Sequence, residues 1–195
     1  MAEMLSPLAP VWRPGSHGNL AGGTGVVLSE TQPGSIVQVA AWPGRDEALL
    51  AAVAAVTGLH VAARPGAGAV SETSAAFGFA PGRLLVVDEA EGLADRLAAA
   101  VGIETGSVTD LSHGRTGLRV AGPKVEWVLG KLFAVDFSIA AFPVTNGIAT
   151  VHHDFFTQIQ RTGPERFDLY VFRSFARAFW TALRHASEEV GYEVV

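Results

Sequence analysis

"DLSHGRTGLRVAGPKVEWVLGKLF", residues 110–133, decides how the chain is read. In TGLRVAG (116–122), Leu118 and Val120 alternate with Arg119, the period-two pattern of a half-buried strand. Gly122-Pro123 interrupts it, and a proline suits the first turn of a helix because the amide it lacks has no partner there. Val125, Val128, Leu129 and Leu132 then share one helical face. A strand leads into a helix. The polar start of the stretch places Asp110, Ser112, His113 and Arg115 within six residues. Ser112 and His113 are adjacent, so a nucleophile-base pair would need an unusual bend to face each other. Asp110 and Ser112 share a strand face, and SHGR lies between two strand patterns, where a polar turn belongs. The expectation is a structural turn with Asp110 or Ser112 bonding backbone amides. No catalytic residue is assigned.

Upstream, IVQVAAW (36–42) has the β-branched content of a strand. GRDEALLAAVAAVTG follows, with acids in its first turn, Leu49, Leu50, Val53 and Val56 on one face, and Gly58 as its stop. TSAAFGFA and RLLVVD flank Pro81-Gly82 and predict a hairpin. EGLADRLAAAVG predicts a second helix and GSVTDLS a strand. The order is β-α-β-β-α-β, that of a ferredoxin-like unit. Downstream of the opening stretch, strands are expected near 146–153, 155–161 and 166–172. A last helix has Ser174 as its cap, a stripe of Phe175, Ala178, Phe179, Ala182, Leu183 and Ala186, and Gly191 as its end. The fold class is α+β, with two interlocked ferredoxin-like units over 36–112 and 113–195. Residues 1–35, rich in proline and glycine, read as an irregular arm.

Composition narrows the function. Of 195 residues, 49% are hydrophobic and 17% charged, enough apolar material for a core. A net charge of −5 argues against a nucleic-acid binder, which needs a basic face to displace counterions. No cysteine is present, so thiol chemistry and disulfides are excluded. The longest apolar run, ALLAAVAAV (48–56), is too short to span a membrane, and the N-terminus lacks a signal-peptide pattern. The expected location is the cytoplasm.

GGTG (22–25), Gly66-Ala67-Gly68 and Gly130-Lys131-Leu132 all lack the strand-loop-helix context of a phosphate site. In HHD (152–154), His152 and Asp154 share a face, two ligands where a catalytic zinc takes three. Neither a metal nor a cofactor site is assigned. Arg161, Arg166 and Arg173 punctuate the strands near Asp168 and read as solvated charges. Trp127 and Trp180 fall off the apolar stripes of their helices, and Trp12 lies in the arm. Aromatics and arginines placed this way suit a partner surface. Trp12, Trp127, Arg173 and Trp180 are therefore the interface candidates, in a chain whose mean hydropathy of +0.29 is high for a small monomer.

VTDLSHGRTGLRVAGPKVEWVLGKLFAVDF resembles the strand-helix segment of the folate-binding aminomethyltransferase superfamily. Ala141-Phe142-Pro143, Arg161-Thr162-Gly163-Pro164 and Arg173-Ser174-Phe175-Ala176 with Trp180 follow in the order found in the gamma-subunit family of heterotetrameric sarcosine oxidases. The resemblance covers roughly residues 70–192. It implies a noncatalytic structural subunit that packs mainly on the alpha subunit, beside beta and delta subunits. The complex it implies demethylates sarcosine oxidatively to glycine, with hydrogen peroxide as co-product and transfer of the one-carbon unit to tetrahydrofolate. FAD, FMN, NAD and tetrahydrofolate are then held by the other subunits. The Cys-containing signature of the folate-dependent repair relatives is missing. Two alternatives stand beside this reading. One is the equivalent subunit of an N-methyl amino acid dehydrogenase of the N-methylglutamate type. The other is a stand-alone folate-binding protein, with Asp110 and Asp136 as candidate pterin carboxylates.

Overall fold

The alternation of residues 116–122 becomes a strand inside a seven-stranded sheet, in a computed structural model that describes residues 5–195. The strands and helices in chain order are β1 (Gly15–His17), β2 (Val26–Thr31), β3 (Ser35–Ala41), α1 (Asp46–Thr57), β4 (Gly68–Val70), β5 (Ser74–Ala80), β6 (Arg83–Asp88), α2 (Leu93–Val101), β7 (Gly106–Asp110) and β8 (Arg115–Ala121). They continue with α3 (Val125–Leu132), β9 (Gly147–His152), β10 (Phe155–Gly163), β11 (Arg166–Phe172), α4 (Ala176–Ser187) and β12 (Tyr192–Val194). Among the described residues no helix is long and apolar enough to cross a membrane. The chain divides into two compact units, one of Gln32–Ser112 with Thr145–Ala149, the other of the remaining residues.

In the first unit the sheet order is β4-β5-β6-β3-β7, with β3 antiparallel to both β6 and β7. Apart from the short β4, this is the ferredoxin-like order. Val37, Val39 and Val86 on the strands pack with Leu49 and Val53 of α1 and Leu97 of α2. Helix α1 stops at Gly58, which takes φ +73, a conformation open to glycine at no steric cost. Helix α2 begins after Gly92 with no side-chain cap of its own. Ser35 of β3 supplies one from a distance: its Oγ accepts from Leu93 N at 3.2 Å and donates to Ala90 O at 2.8 Å.

The second unit repeats the plan with an insertion. Its sheet runs β1-β12-β2-β8-β11-β10-β9, so β2 separates the fourth ferredoxin-like strand, β12, from the first, β8. β2 is parallel to β12 and antiparallel to β8. This corrects the expectation of an irregular arm over 1–35, of which residues 1–4 lie outside the described residues. Leu8, Val26 and Leu28 are fully buried. Val26–Thr31 itself contains neither proline nor glycine, and Gly25 and Pro33 flank it instead. Gly25 is a case in point: a Cβ there would stand 2.6 Å from Val190 O, and its amide bonds the carbonyls of Val190 and Gly191 at 3.0 Å.

The last helix also differs from expectation. It starts at Ala176, after a 3-10 turn over Arg173–Phe175, and Ser174 makes no capping bond. Its buried face is Ala176, Phe179, Trp180, Leu183, Ala186 and Ser187, so Phe175 is exposed and the stripe is rotated to take in the indole. A large aromatic surface wins over alanines when a helix face settles on a sheet. A 3-10 turn and Gly191 (φ +69) then lead into β12, a strand too short to read from its composition.

If β2 is an interior strand, Leu28→Ala lowers unfolding free energy by about 2–5 kcal/mol, the range for a buried leucine. Urea titration followed by circular dichroism measures it. A loss near zero would return the segment to the status of an arm.

Candidate functional site

The polar turn after β7 is a backbone clip. Asp110 Oδ1 accepts from Ser112 N at 2.9 Å and from Ser112 Oγ at 2.5 Å. The same Oγ accepts from Ile36 N at 3.0 Å, which ties the turn to the end of β3. The serine proton goes to an aspartate and its oxygen is occupied by an amide, so the hydroxyl fastens a turn, as expected. Asp136 behaves alike: its Oδ1 accepts from Ser138 N at 2.9 Å. That bond holds the Asp136 carboxyl below the usual carboxylate range, with the Ser138 side chain adding to it. Both candidate pterin carboxylates are folded onto their own loops. A cavity of about 230 Å³ in the first unit is lined by Leu49, Leu50, Val61, Pro65 and Leu84 with Asp46, and by neither of them.

His152 and Asp154 form no cage. His152 Nδ1 sits 2.6 Å from Leu132 O, and its ring meets His153 edge-on at 4.4 Å. Among the described residues no group of three or more His, Cys, Asp or Glu is placed to hold a metal ion.

Arg161 is not the solvated charge that its sequence context predicts. It is 2% exposed. Its Nη1 donates to Phe137 O at 2.8 Å and Phe142 O at 3.1 Å, and its Nη2 to Glu126 Oε1 at 2.7 Å and to Pro164 O. Its Nε reaches the carbonyls of Gly163 and Pro164 at 3.3 and 3.1 Å. The guanidinium lies 4.9 Å from the Phe167 ring centre, and Phe137 and Phe142 flank that ring at 5.5 and 6.0 Å. AFP and RTGP, two separate motifs in the sequence, thus meet at one cation. No period or spacing marks such a residue, because four of its five acceptors are backbone carbonyls, which any residue type supplies. Arg166 bonds back to Thr162, Nε to Oγ1 at 3.1 Å and Nη2 to the carbonyl at 2.8 Å. Asp168 is paired by Arg119, with bonds of 2.7 and 2.8 Å.

The four interface candidates separate. Trp180 is 1% exposed and stacks on Trp12 with ring centres 4.7 Å apart. The indole left off the expected stripe is therefore covered by this chain's own N-terminal segment, and Trp180 is no open partner surface. Trp12 is half-buried by the same stack. Trp127 remains 43% exposed on α3, with Lys131 Nζ 3.6 Å from its ring centre. Arg173 Nη2 donates to Leu5 O, and Arg177 Nε to Pro7 O at 2.8 Å, so α4 and the turn before it bind the segment's backbone as well.

One sheet face of the second unit is polar and buried. Thr31, Gly117, Tyr170 and Gln158 lie on one cross-strand row through β2, β8, β11 and β10. Gln158 is fully buried, and neither its Oε1 nor its Nε2 has a hydrogen-bond partner. Thr31 Oγ1 and Trp180 Nε1 are likewise buried without one. Burial, with the Asp168 charge second, pushes the Tyr170 hydroxyl far up, so it stays neutral. A Cβ on Gly117 would stand 2.2 Å from Thr31 Oγ1, which explains the glycine within this row.

Comparison with known proteins gives a consistent picture. Residues 43–189 match the sarcosine oxidase, gamma subunit family. The sarcosine oxidase subunit gamma of Arthrobacter sp is 36% identical over 151 residues, 77% of this chain and 73% of that protein. That of Corynebacterium sp. (strain U-96) is 33% identical over 162 residues, 82% and 78% of the two. Among solved structures, heterotetrameric sarcosine oxidase from Corynebacterium sp. U-96 in complex with pyrrole 2-carboxylate contains a chain that superposes with a TM-score of 0.81 at 28% identity, over 95% of each chain. Glycine cleavage system aminomethyltransferase T from Bartonella henselae shares the fold, with a TM-score of 0.63 at 17% identity over 99% of this chain and 60% of that one.

Arg161→Met is expected to cost about 3–5 kcal/mol, because it leaves several carbonyl acceptors of the chain without their shared donor, at about 1–3 kcal/mol for each that stays buried, and the half-exposed Glu126 without its cation. Denaturant unfolding reads the loss. A cost below about 1 kcal/mol, the value of a surface ion pair, would remove Arg161 from the centre of this account.

Proposed function

Because the chain belongs to the sarcosine oxidase gamma subunit family, we propose that it is the noncatalytic, structural gamma subunit of a cytoplasmic heterotetrameric sarcosine oxidase. The observation that carries this reading is the end-to-end superposition on a chain of such a heterotetramer, 95% of each chain at a TM-score of 0.81. The geometry supports it. The polar groups that sequence motifs single out are spent on the chain's own backbone: Ser112 on Ile36 N, Asp136 on Ser138 N, Arg161 on carbonyls of Phe137, Phe142, Gly163 and Pro164.

In this reading the partners are the alpha, beta and delta subunits, with alpha the main contact. FAD, FMN, NAD and tetrahydrofolate sit in those subunits, where sarcosine is demethylated to glycine, dioxygen is reduced to hydrogen peroxide and the one-carbon unit passes to tetrahydrofolate. The contribution of this chain is surface. Trp127 and Arg173, with the open side of Trp12, are the residues proposed to meet a partner.

Co-expression with the other three subunits tests the proposal. The chain is expected to co-elute with them on size exclusion and to be required for recovery of active, soluble complex. Alone it is expected to self-associate and to oxidise no sarcosine. Turnover of sarcosine by the lone chain, or a clean monomer indifferent to the other subunits, would overturn it. Saturable micromolar binding of tetrahydrofolate to the lone chain by calorimetry would favour a folate-binding protein instead.

A further inference from the structure

Arg115 opens β8, and across the ladder it stands opposite Phe172, at the end of β11. Its guanidinium lies over the Phe172 ring, 3.9 Å from the centre, and the Phe172 and Phe156 rings are 5.8 Å apart. A cation and two aromatic rings thus form a strip across three neighbouring strands. Arg115 is 9% exposed, its Nε has no hydrogen-bond partner, and no ion pair among the described residues includes it. Arg161 and Arg119 are buried or half-buried too, yet each is bonded to a carboxylate. Arg115 alone of the three holds its charge against a ring and nothing else that is negative. Burial accordingly weakens its hold on its proton.

A guanidinium carries five donors and no acceptor, and a largely desolvated one without a counter-charge is costly unless an anion arrives. Beside it, Phe172 is 37% exposed although its neighbours along β11 are buried. We propose that this strip is the seat of a carboxylate-bearing segment of a sister subunit, an Asp or Glu on Arg115 with an apolar neighbour across Phe172 and Phe156. The proposal rests on the heterotetramer reading above and names a contact within it. A free inorganic anion would satisfy the cation but make no use of the rings. A peptide carrying an acid beside an apolar side chain uses both, and arginine with aromatics is the composition of interface centres.

Arg115→Met keeps the unbranched stem and removes the charge. Co-expressed with the alpha, beta and delta subunits, the variant complex is expected to dissociate on dilution at a concentration about 30-fold or more above that of wild type, the loss of one desolvated charge pair. The lone variant chain is expected to melt at the same temperature as wild type or higher, since an unpaired buried charge has gone. Arg115→Lys should fall between the two in assembly. Wild-type assembly by Arg115→Met would overturn the proposal, as would a drop in the melting temperature of the lone variant, which would mark Arg115 as structural. A rise in the melting temperature of the lone wild-type chain with acetate or phosphate, absent in Arg115→Met, together with unchanged assembly, would assign the site to a soluble anion. Failure of the wild-type chain to join the other subunits would remove the parent reading, and this one with it.

Discussion

A buried cation organises the second unit. Arg161 leaves water, a change that disfavours any charge, and what offsets it is a set of acceptors from three places in the chain: Glu126 on α3, Phe137 and Phe142 in the loop after it, and Gly163 and Pro164 at the end of β10. The loop between α3 and β9 has no regular structure of its own, so its carbonyls need partners from elsewhere. Arg161 provides two of them, and in doing so presses Phe137 and Phe142 against Phe167 on β11. Loop, helix and sheet are held at one point.

The N-terminal segment is the second constraint. A ferredoxin-like unit would pair its first and fourth strands, and here β2 stands between them. The three-residue β12 could not by itself cover the edge of β8, whose partner register with β2 runs from Gly117 to Ala121. The segment is then fastened over α4 by the Trp12–Trp180 stack and by the carbonyls of Leu5 and Pro7. The segment places Leu8, Val26 and Leu28 in the core, and its Trp12 covers the Trp180 indole. The surface left for assembly is correspondingly smaller: Trp127, Arg173, the open side of Trp12, the Arg115–Phe172–Phe156 strip and scattered exposed aliphatics such as Ile139 and Val151.

Arg161 and Arg115 show how little the residue type says. Both lie on strands of one sheet and both stack on a phenylalanine. One has a carboxylate and several carbonyls around it, the other only a ring. The first is a fastening within the chain; the second is a charge whose counterpart has to come from outside.

Local pattern alone determined a good deal: the β-α-β-β-α-β order of the first unit with its β5–β6 hairpin, α3 and its buried face, the strands β10 and β11, and the turn at Ser112. These depend on periodicity and on turn residues within about ten positions, which a sequence displays directly. It was tertiary structure that decided the rest. The place of β2, the existence of β12, the rotation of α4 towards Trp180, the Ser35 cap of α2 and the Arg161 centre all join residues tens of positions apart or more. Such contacts are set by which edge, helix end or carbonyl is left unsatisfied once the local elements have formed, and neighbours in the chain carry no record of that.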